Sequence, residues 1–348
     1  MPRKAKPAKI EDVAARAGVS IMTVSRAVRG VEGVSEKKRS EILKLARQMN
    51  YVPNSNARSL AVANSNLIGI SLPTFAGEVF AEILGGMRRT FDLAGYSSVI
   101  DTTEYSRDAE LNWIRRLLSW QPAAIILTGI DHHSETRELL RHAPIPVLEI
   151  WDYTDDPIDI CVGVDHRAAG RLVGQHVCDL GYRQPAFVST PLGHDIRADA
   201  RLEGVRDVFA QAGVGAVEAA RPQLGNAFST GYNGMLDLLS KTRPDVVFFL
   251  NDNMAFGGMM ACQERGLSVP KDIGIAGFNG LDLTSVLPIK LTTVQTPRHL
   301  MGVTGARNLL ARMNGVSVLR STELDVKLVA GETTAPREGC NPKQNAAL

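Results

Sequence analysis

The chain has 348 residues, 44% of them apolar and 22% charged, and no apolar run reaches the roughly 18 residues of a membrane span, so the sequence predicts no membrane-spanning helix. The net charge of +2 divides unevenly: residues 1–60 hold 13 Lys and Arg against 5 Asp and Glu, a net of +8, whereas the other 288 residues hold 26 against 32, a net of −6. A basic head on an acidic body favours a polyanionic partner for the head.

The four cysteines form neither a Cys-x-x-Cys pair nor a zinc pattern with histidine. We therefore expect reduced thiols, no metal and no cofactor. The basic N-terminus, MPRKAKPAKI, is followed by no apolar segment, which argues against a secretory signal. We expect a cytoplasmic protein of two or three compact units.

Three short helical patterns open the chain, in residues 9–18, 21–30 and 36–51. Gly18 and Gly30 are positioned to end the first two helices, and Ser20 and Ser35 to cap the second and third. Two helices joined by a tight turn that contains glycine are typical of a helix-turn-helix motif.

The second helix begins with two large apolar residues, Ile21 and Met22, in a segment rich in Ser, Thr and Arg. In a helix-turn-helix protein this region meets base edges in the major groove, where an apolar side chain can pack on a thymine methyl and an arginine can pair with guanine. Phosphate contacts are expected from Thr23, Ser25 and the 37–39 cluster. The predicted DNA-binding residues of this helix are Ile21, Met22, Thr23, Ser25, Arg26 and Arg29. The alternative is that Ile21 and Met22 are core residues of a three-helix domain.

From residue 67 onward, apolar strand-like runs such as LIGISLP, AAIIL and VVFFL alternate with helical stretches of 10–15 residues. This alternation predicts parallel sheets covered by helices on both faces, and the series is long enough for two lobes. Ligands of such sheets bind outside the carboxyl ends of the strands. The segment between the head and this body looks like a linker with one or two helical turns.

A resemblance to the LacI family of bacterial transcription repressors rests on IEDVAARAGVSIMTVSRAVRG, VSEKKRSEILKLARQMNYVPNSNARSLA, IGISLP, FNG and TTVQTP, and it covers about residues 9–335. Within the family, the gluconate repressors are the most similar, through LPTFAGEVFAEIL, LSWQPAAIILT, DICVGVD, IAGFNGLD and TPRHLMG. The implied fold is an all-α helix-turn-helix head joined by a hinge helix to a two-lobed α/β body like that of periplasmic binding proteins. The expected domains are residues 1–52 for DNA binding, 53–66 for the hinge, 67–336 for effector binding and dimerisation, and 337–348 for a flexible tail.

The resemblance implies a hinge helix that forms on DNA and inserts a leucine into the minor groove. Leu60 in ARSLA matches that leucine, and Asn54 and Ala57 belong to the same DNA-contacting segment. The alternative for Leu60 is packing against the body. No leucine heptads follow Pro336, so a homodimer is expected rather than a tetramer.

The resemblance also implies an effector site between the lobes. Its Arg201 lies three residues before Gly204, where the family places an effector-binding arginine. The full predicted set is Val79, Phe80, Trp151, Asp165, His166, Arg201, Phe228, Asn251 and Asn279. Alternatives remain for several members: Asn251 and Asp165 are also positioned as helix caps, and Phe228 and Trp151 as core residues. Glu149 is a further candidate.

A guanidinium suits a carboxylate, and Asn279 stands where many members of the family have aspartate, so the pocket carries one negative charge fewer. The predicted function is a repressor whose operator affinity responds to a sugar acid, gluconate or a ketogluconate. A neutral sugar or a corepressor mode is the alternative, and a sugar-binding protein or an enzyme without DNA binding is a remote one. Dinucleotide, phosphate-loop and Gly-x-Ser-x-Gly motifs are absent from the sequence.

Overall fold

The computed structural model describes residues 8–52, 65–191, 195–223 and 225–337, in two compact units that fall within residues 1–65 and 66–348. Asn54, Ala57 and Leu60, the predicted hinge contacts, lie outside the described residues, as does residue 338 onward. In the ranges that are described, no helix is both long and apolar enough to cross a bilayer.

The first unit contains three helices, α1 (Ile10–Ala17), α2 (Ile21–Arg29) and α3 (Glu36–Gln48). Both predicted serine caps are present, because Ser20 Oγ accepts from the Thr23 amide at 3.1 Å and Ser35 Oγ accepts from the Lys38 amide at 3.4 Å. Gly18 ends α1 in the left-handed conformation, with φ +60°. The helix-turn-helix prediction is confirmed, although α3 ends at Gln48 rather than at residue 51.

The second unit contains nine helices and twelve strands in its described ranges. The strands are β1 (Leu67–Leu72), β2 (Ser97–Thr102), β3 (Ala124–Thr128), β4 (Val147–Asp152), β5 (Ile160–Val164), β6 (Pro185–Val188), β7 (Glu218–Ala220), β8 (Val246–Phe249), β9 (Gly274–Ala276), β10 (Thr293–Gln295), β11 (Ser321–Glu323) and β12 (Lys327–Val329). The helices are α4 (Glu78–Leu93), α5 (Arg107–Ser119), α6 (Ser134–His142), α7 (His166–Asp179), α8 (Ile196–Gln211), α9 (Ala227–Lys241), α10 (Asp252–Glu264), α11 (Leu283–Val286) and α12 (Arg298–Met313).

Two parallel sheets define the two lobes of this unit. The first sheet has the strand order β2-β1-β3-β4-β5-β11, with Ile68 paired to Ser98 on one side and to Ala124 on the other. The second has the order β7-β6-β8-β9. Strands β3, β5 and β8 are buried along their whole length, as expected for sheets covered on both faces. The predicted two-lobed α/β body is therefore confirmed.

Three helix pairs in the body cross at glycines that pack on each other's backbone. A Cβ added to any of these glycines would collide with a carbonyl oxygen of the facing helix. The pairs are α4–α12 through Gly86 and Gly302, α7–α8 through Gly170 and Gly204, and α9–α10 through Gly231 and Gly257. The α7–α8 crossing is made at the backbone of Arg201, so it fixes that residue's position against the neighbouring helix.

Candidate functional sites

The first turn of α2 presents apolar side chains to solvent. Ile21 and Met22 are 49% and 60% exposed, whereas Val24 on the opposite face is fully buried among Val13, Ile42 and their neighbours. The alternative that Ile21 and Met22 are core residues is therefore wrong. An apolar surface at the start of a recognition helix fits contact with base edges.

The polar residues around this surface differ in how far they are exposed and in what they bond. Arg26 and Arg29 are exposed, and Arg29 Nε donates to the Ser25 carbonyl at 3.2 Å. The Thr23 and Ser20 hydroxyls are 2.9 Å apart. Members of the 37–39 cluster instead brace the fold: Lys38 Nζ donates to Ala17 O at 3.2 Å, and Arg39 Nη2 donates to Val31 O at 2.8 Å. Lys37 stays exposed and is the cluster's best phosphate candidate.

A cavity of about 760 Å³ lies between the two lobes. The first lobe contributes the residues after β1 and β2 and Trp151 near the end of β4. The second lobe contributes residues after β6, β7, β8 and β9 and the start of α8, as expected for ligand sites of parallel sheets. Seven of the nine predicted effector residues line it: Val79, Phe80, Trp151, Arg201, Phe228, Asn251 and Asn279. Their role as ligand contacts stays a prediction.

Arg201 is a buried cation on the wall of this cavity. Its guanidinium lies over the Phe278 ring, 4.3 Å from the centroid, Nη1 is 2.9 Å from His166 Nδ1, and Nε has no hydrogen-bond partner. No carboxylate oxygen in the described ranges lies within 4.0 Å of it. Burial lowers the pKa of Arg201 to about 10, with Asp195 and Arg197 acting in opposite directions. An anion bound here would stabilise the charged form.

Asp165 and His166 do not line the cavity. The Asp165 carboxylate accepts from the Ala168 amide at 2.9 Å and caps α7, which agrees with the alternative that it is a helix cap. His166 is buried behind Arg201, and burial lowers its pKa, which leaves Nδ1 free to accept from the guanidinium. Glu149 also lies away from the cavity. It is fully buried, and its carboxylate accepts from the Ile158 amide at 2.5 Å.

The sequence did not predict two charged residues of this region, Arg197 and Asp152. Arg197 lines the cavity and donates from Nε to Asp152 Oδ1 at 2.7 Å, which joins α8 of the second lobe to the end of β4 in the first. Burial alone would raise the pKa of Asp152, but Arg197 and His166 lower it to about 2. A Cβ at Gly129 would collide with the Arg197 guanidinium, so the glycine, at φ +94°, leaves room for it. The available signal was spacing, since Arg197 precedes Arg201 by one helical turn.

Neutral polar groups and two strained backbones complete the wall. Asn251 fits both of its predicted roles, helix cap and cavity residue. Its Oδ1 accepts from the Met254 amide at 2.9 Å, and the residue also lines the cavity. Trp151 and Asn279 have φ of +90° and +110°, conformations that cost non-glycine residues about 1–3 kcal/mol. Such strain persists where the surrounding structure imposes it, often at ligand sites.

The acidic residues of the cavity are either paired or at its rim. Asp195 accepts from the Arg197 amide at 3.1 Å and lies 3.4 Å from Arg197 Nη1. Glu78 and Glu104 line the cavity but are exposed to solvent. The described part of the wall thus offers one buried guanidinium without a carboxylate oxygen within 4.0 Å, and the same cavity is also lined by the neutral amides of Asn251 and Asn279.

Comparisons with known proteins agree with this arrangement. Residues 9–54 match the family described as bacterial regulatory proteins, lacI family, and residues 175–334 match the periplasmic binding protein-like domain. The HTH-type transcriptional regulator GntR of Escherichia coli (strain K12) is 35% identical over 320 residues, which are 90% of this chain and 95% of the relative.

Solved structures extend the match to the whole fold. A transcriptional regulator of the LacI family from Silicibacter pomeroyi is 33% identical with a TM-score of 0.88, over 94% of this chain and 100% of that one. The lac repressor dimer bound to operator and the anti-inducer ONPF is 27% identical with a TM-score of 0.81, over 95% of this chain and 100% of that one.

Proposed function

The chain belongs to the lacI family of bacterial regulatory proteins, and we propose that the operator affinity of this DNA-binding transcription repressor is controlled by a sugar acid, gluconate or a ketogluconate. The observation that carries the proposal is Arg201, a buried guanidinium on the cavity wall with no carboxylate partner within 4.0 Å in the described ranges. The resemblance to gluconate repressors and the similarity to GntR support the same effector class.

Arg201 is the anchor for the effector's carboxylate. A carboxylate accepts a charge-assisted pair of hydrogen bonds from a guanidinium, and the low-dielectric wall strengthens that interaction. Arg197 is less available for this role because Asp152 and Asp195 already neutralise it. Asn251 and Asn279 supply neutral groups for hydroxyls, which hold a polyol without repelling an anion.

The helix-turn-helix unit is the reader of the operator. Ile21 and Met22 contact base edges, Arg26 and Arg29 reach bases or phosphates, and Leu60 is the minor-groove wedge of the hinge. The division into head (1–52), hinge (53–66), body (67–336) and tail (337–348) is part of this proposal. Effector binding changes the arrangement of the two lobes, and operator affinity changes with it because the two sites are thermodynamically coupled.

An apolar groove on the second lobe is the surface that contacts a second copy of the chain in the homodimer. The groove, about 1060 Å³ in volume, lies between α9 and α10, where Phe228 and Met260 are roughly half exposed. The lac repressor in the similar structure is a dimer, which supports a homodimer here. Met260→Glu is expected to shift the protein to monomers in sedimentation experiments, and an unchanged dimer would place the interface elsewhere.

A thermal-shift panel tests the effector class. Purified full-length protein is heated with gluconate, 2-ketogluconate, glucitol, glucose, phosphorylated sugars and purines, because a ligand of the native state raises Tm by mass action. We expect a selective rise with gluconate or the ketogluconate. Glucitol is the matched control, since it has gluconate's carbon chain without the carboxylate. A larger rise with glucitol, glucose or a purine would refute the sugar-acid assignment and leave the family assignment intact.

A further inference from the structure

Arg298 at the start of α12 connects three parts of the body through one buried guanidinium. Nη1 donates to the backbone oxygen of Asn279 and, at 3.1 Å, to Thr296 Oγ1. Nη2 donates to Glu82 Oε1 at 2.8 Å and to Gly280 O at 3.3 Å. The residue is only 4% exposed, so these bonds form away from solvent. Two motifs that the effector assignment leaves unused, AEIL and TPRHL, meet in the Glu82–Arg298 pair.

The backbone of Asn279 is fully hydrogen-bonded, whereas its side-chain oxygen has no hydrogen-bond partner. Its amide donates to Val294 O at 2.9 Å, and its carbonyl accepts from the Thr296 amide at 3.2 Å as well as from Arg298. These bonds hold the residue at φ +110°. The side chain lines the cavity, and its Oδ1 has no hydrogen-bond partner. Because an unmade buried hydrogen bond is costly, this amide is suited to pair with a bound ligand.

We propose that Arg298 is a positioning residue for the effector: it holds Asn279 in its positive-φ conformation so that the side-chain amide meets a ligand hydroxyl. The proposal rests on the sugar-acid function above. Arg298 does not touch the ligand, since it is not part of the cavity wall. It acts through Asn279. Because the Asn279 amide pairs with a hydroxyl, Arg298 favours the binding of polyhydroxy acids over acids without hydroxyls.

The Glu82 bond extends this role to the opposite wall of the cavity. Glu82 lies on α4, the helix whose first turn carries Val79 and Phe80. The α4–α12 crossing is close, because a Cβ at Gly302 would collide with the Ile83 carbonyl. Arg298 therefore sets the position of Asn279 in the second lobe relative to a helix of the first.

The test is a double-mutant cycle on the full-length protein with gluconate as the probe, measured by calorimetry. Asn279→Gly removes the side-chain amide. Glycine adopts a positive φ without strain, so Arg298 is then no longer needed to hold that conformation. Arg298→Met and Asn279→Gly are each expected to weaken gluconate binding roughly tenfold, the effect of one lost hydrogen bond. The double variant should bind no more weakly than Asn279→Gly alone. Additive losses, or wild-type affinity in Arg298→Met, would overturn the proposal.

Arg312→Met is the matched control. Arg312 lies on the same helix and pairs with Asp159 at 2.9 Å, away from the cavity, so gluconate affinity should stay unchanged. If Arg298→Met does not fold, Arg298→Lys replaces it in the cycle. It keeps the charge beside Glu82, but its single ammonium cannot reproduce the guanidinium's set of bonds.

Hydrogen exchange separates failure of this proposal from failure of the effector assignment. The amides of Asn279, Gly280 and Leu281 all donate hydrogen bonds within the protein. Arg298→Met is expected to speed their exchange about tenfold or more, and Arg312→Met to leave it unchanged. If the wild type binds no sugar acid, the effector assignment fails while this measurement still decides the role of Arg298. Wild-type exchange in Arg298→Met would refute it.

Discussion

The first turn of α2 and the cavity between the lobes depart in opposite directions from the usual placement of apolar residues inside and charged residues outside. In α2, Ile21 and Met22 are apolar and exposed. In the cavity, Arg197 and Arg201 are charged and buried. Exposed apolar surface and buried charge are both costly in a free protein, and both become favourable when a suitable partner arrives. The contrast supports the proposal that the two places bind ligands of different chemistry, base edges at the first and a carboxylate at the second.

Buried charge alone does not mark a binding site, as a third region shows. His132 is buried in the segment between β3 and α6, with Nδ1 2.7 Å from Glu110 and Nε2 3.0 Å from the Gly129 carbonyl. Glu149, beside it, is also bonded by Ile158. The charged groups of this cluster have oppositely charged partners among themselves, whereas no carboxylate oxygen in the described ranges lies within 4.0 Å of the Arg201 guanidinium. A charged partner within the protein, rather than burial alone, separates the structural cluster from Arg201.

The largest effect is expected at Arg201. Arg201→Gln removes the carboxylate anchor and should weaken gluconate binding roughly 100-fold or more, because a buried charge-assisted pair is lost. Calorimetric titration measures the affinity. Arg206→Gln is the control, since Arg206 is on the same helix in an exposed pair with Glu203. Equal affinities for Arg201→Gln and the wild type would show that the contrast between the two regions does not locate the effector.

The next effect is at the recognition helix. Met22→Ala should lower affinity for a selected operator about tenfold and leave non-specific DNA affinity nearly unchanged, because base contacts carry sequence information and phosphate contacts do not. Fluorescence anisotropy with both DNAs gives the two affinities. Val31→Ala trims an exposed apolar residue outside α2 and should change neither. A uniform loss on both DNAs in Met22→Ala would make Met22 structural.

The smallest effect on function is expected at His132. Burial alone would lower its pKa, but Glu110 and Glu149 raise it from 6.5 to about 9. A raised pKa in the folded protein gives stability that is fully present below pH 6.5 and is lost as the pH rises through 9. Chemical unfolding between pH 6 and 10 should show this decline in the wild type and a flatter profile in His132→Gln.

Gluconate affinity should be the same in His132→Gln as in the wild type, at a pH where both are folded. The exposed His142, changed to Gln, is the control and should keep the wild-type decline in stability. A wild-type profile without a decline above pH 6.5 would mean that the His132 cluster does not hold an extra proton, and it would remove the distinction between satisfied and unsatisfied buried charge.

Local signals made the head predictable, and tertiary contacts limited the prediction of the cavity. Ser20, Ser35 and Gly18 act within one helical turn of their own positions, so sequence spacing located the helix ends. Arg201 came from the resemblance to the family. Asp152 and Arg298 were missed because their partners, Arg197 and Glu82, lie 45 and 216 residues away along the chain. The helix cap at Asp165 was one of the local predictions, whereas the position of His166 behind Arg201 depends on packing that no local pattern encodes.

The measurement that tests the account most directly is an operator titration with and without effector. Full-length protein is titrated onto a DNA fragment obtained by in vitro selection, in buffer alone, with saturating gluconate, and with the same concentration of glucitol. We predict that gluconate changes operator affinity at least about fivefold, as expected of an allosteric coupling of roughly 1–3 kcal/mol, with glucitol having no effect and Arg201→Gln responding to neither. A decrease identifies an inducer and an increase a corepressor. Unchanged affinity with gluconate, or an equal change in Arg201→Gln, would contradict the central claim that the cavity around Arg201 controls DNA binding.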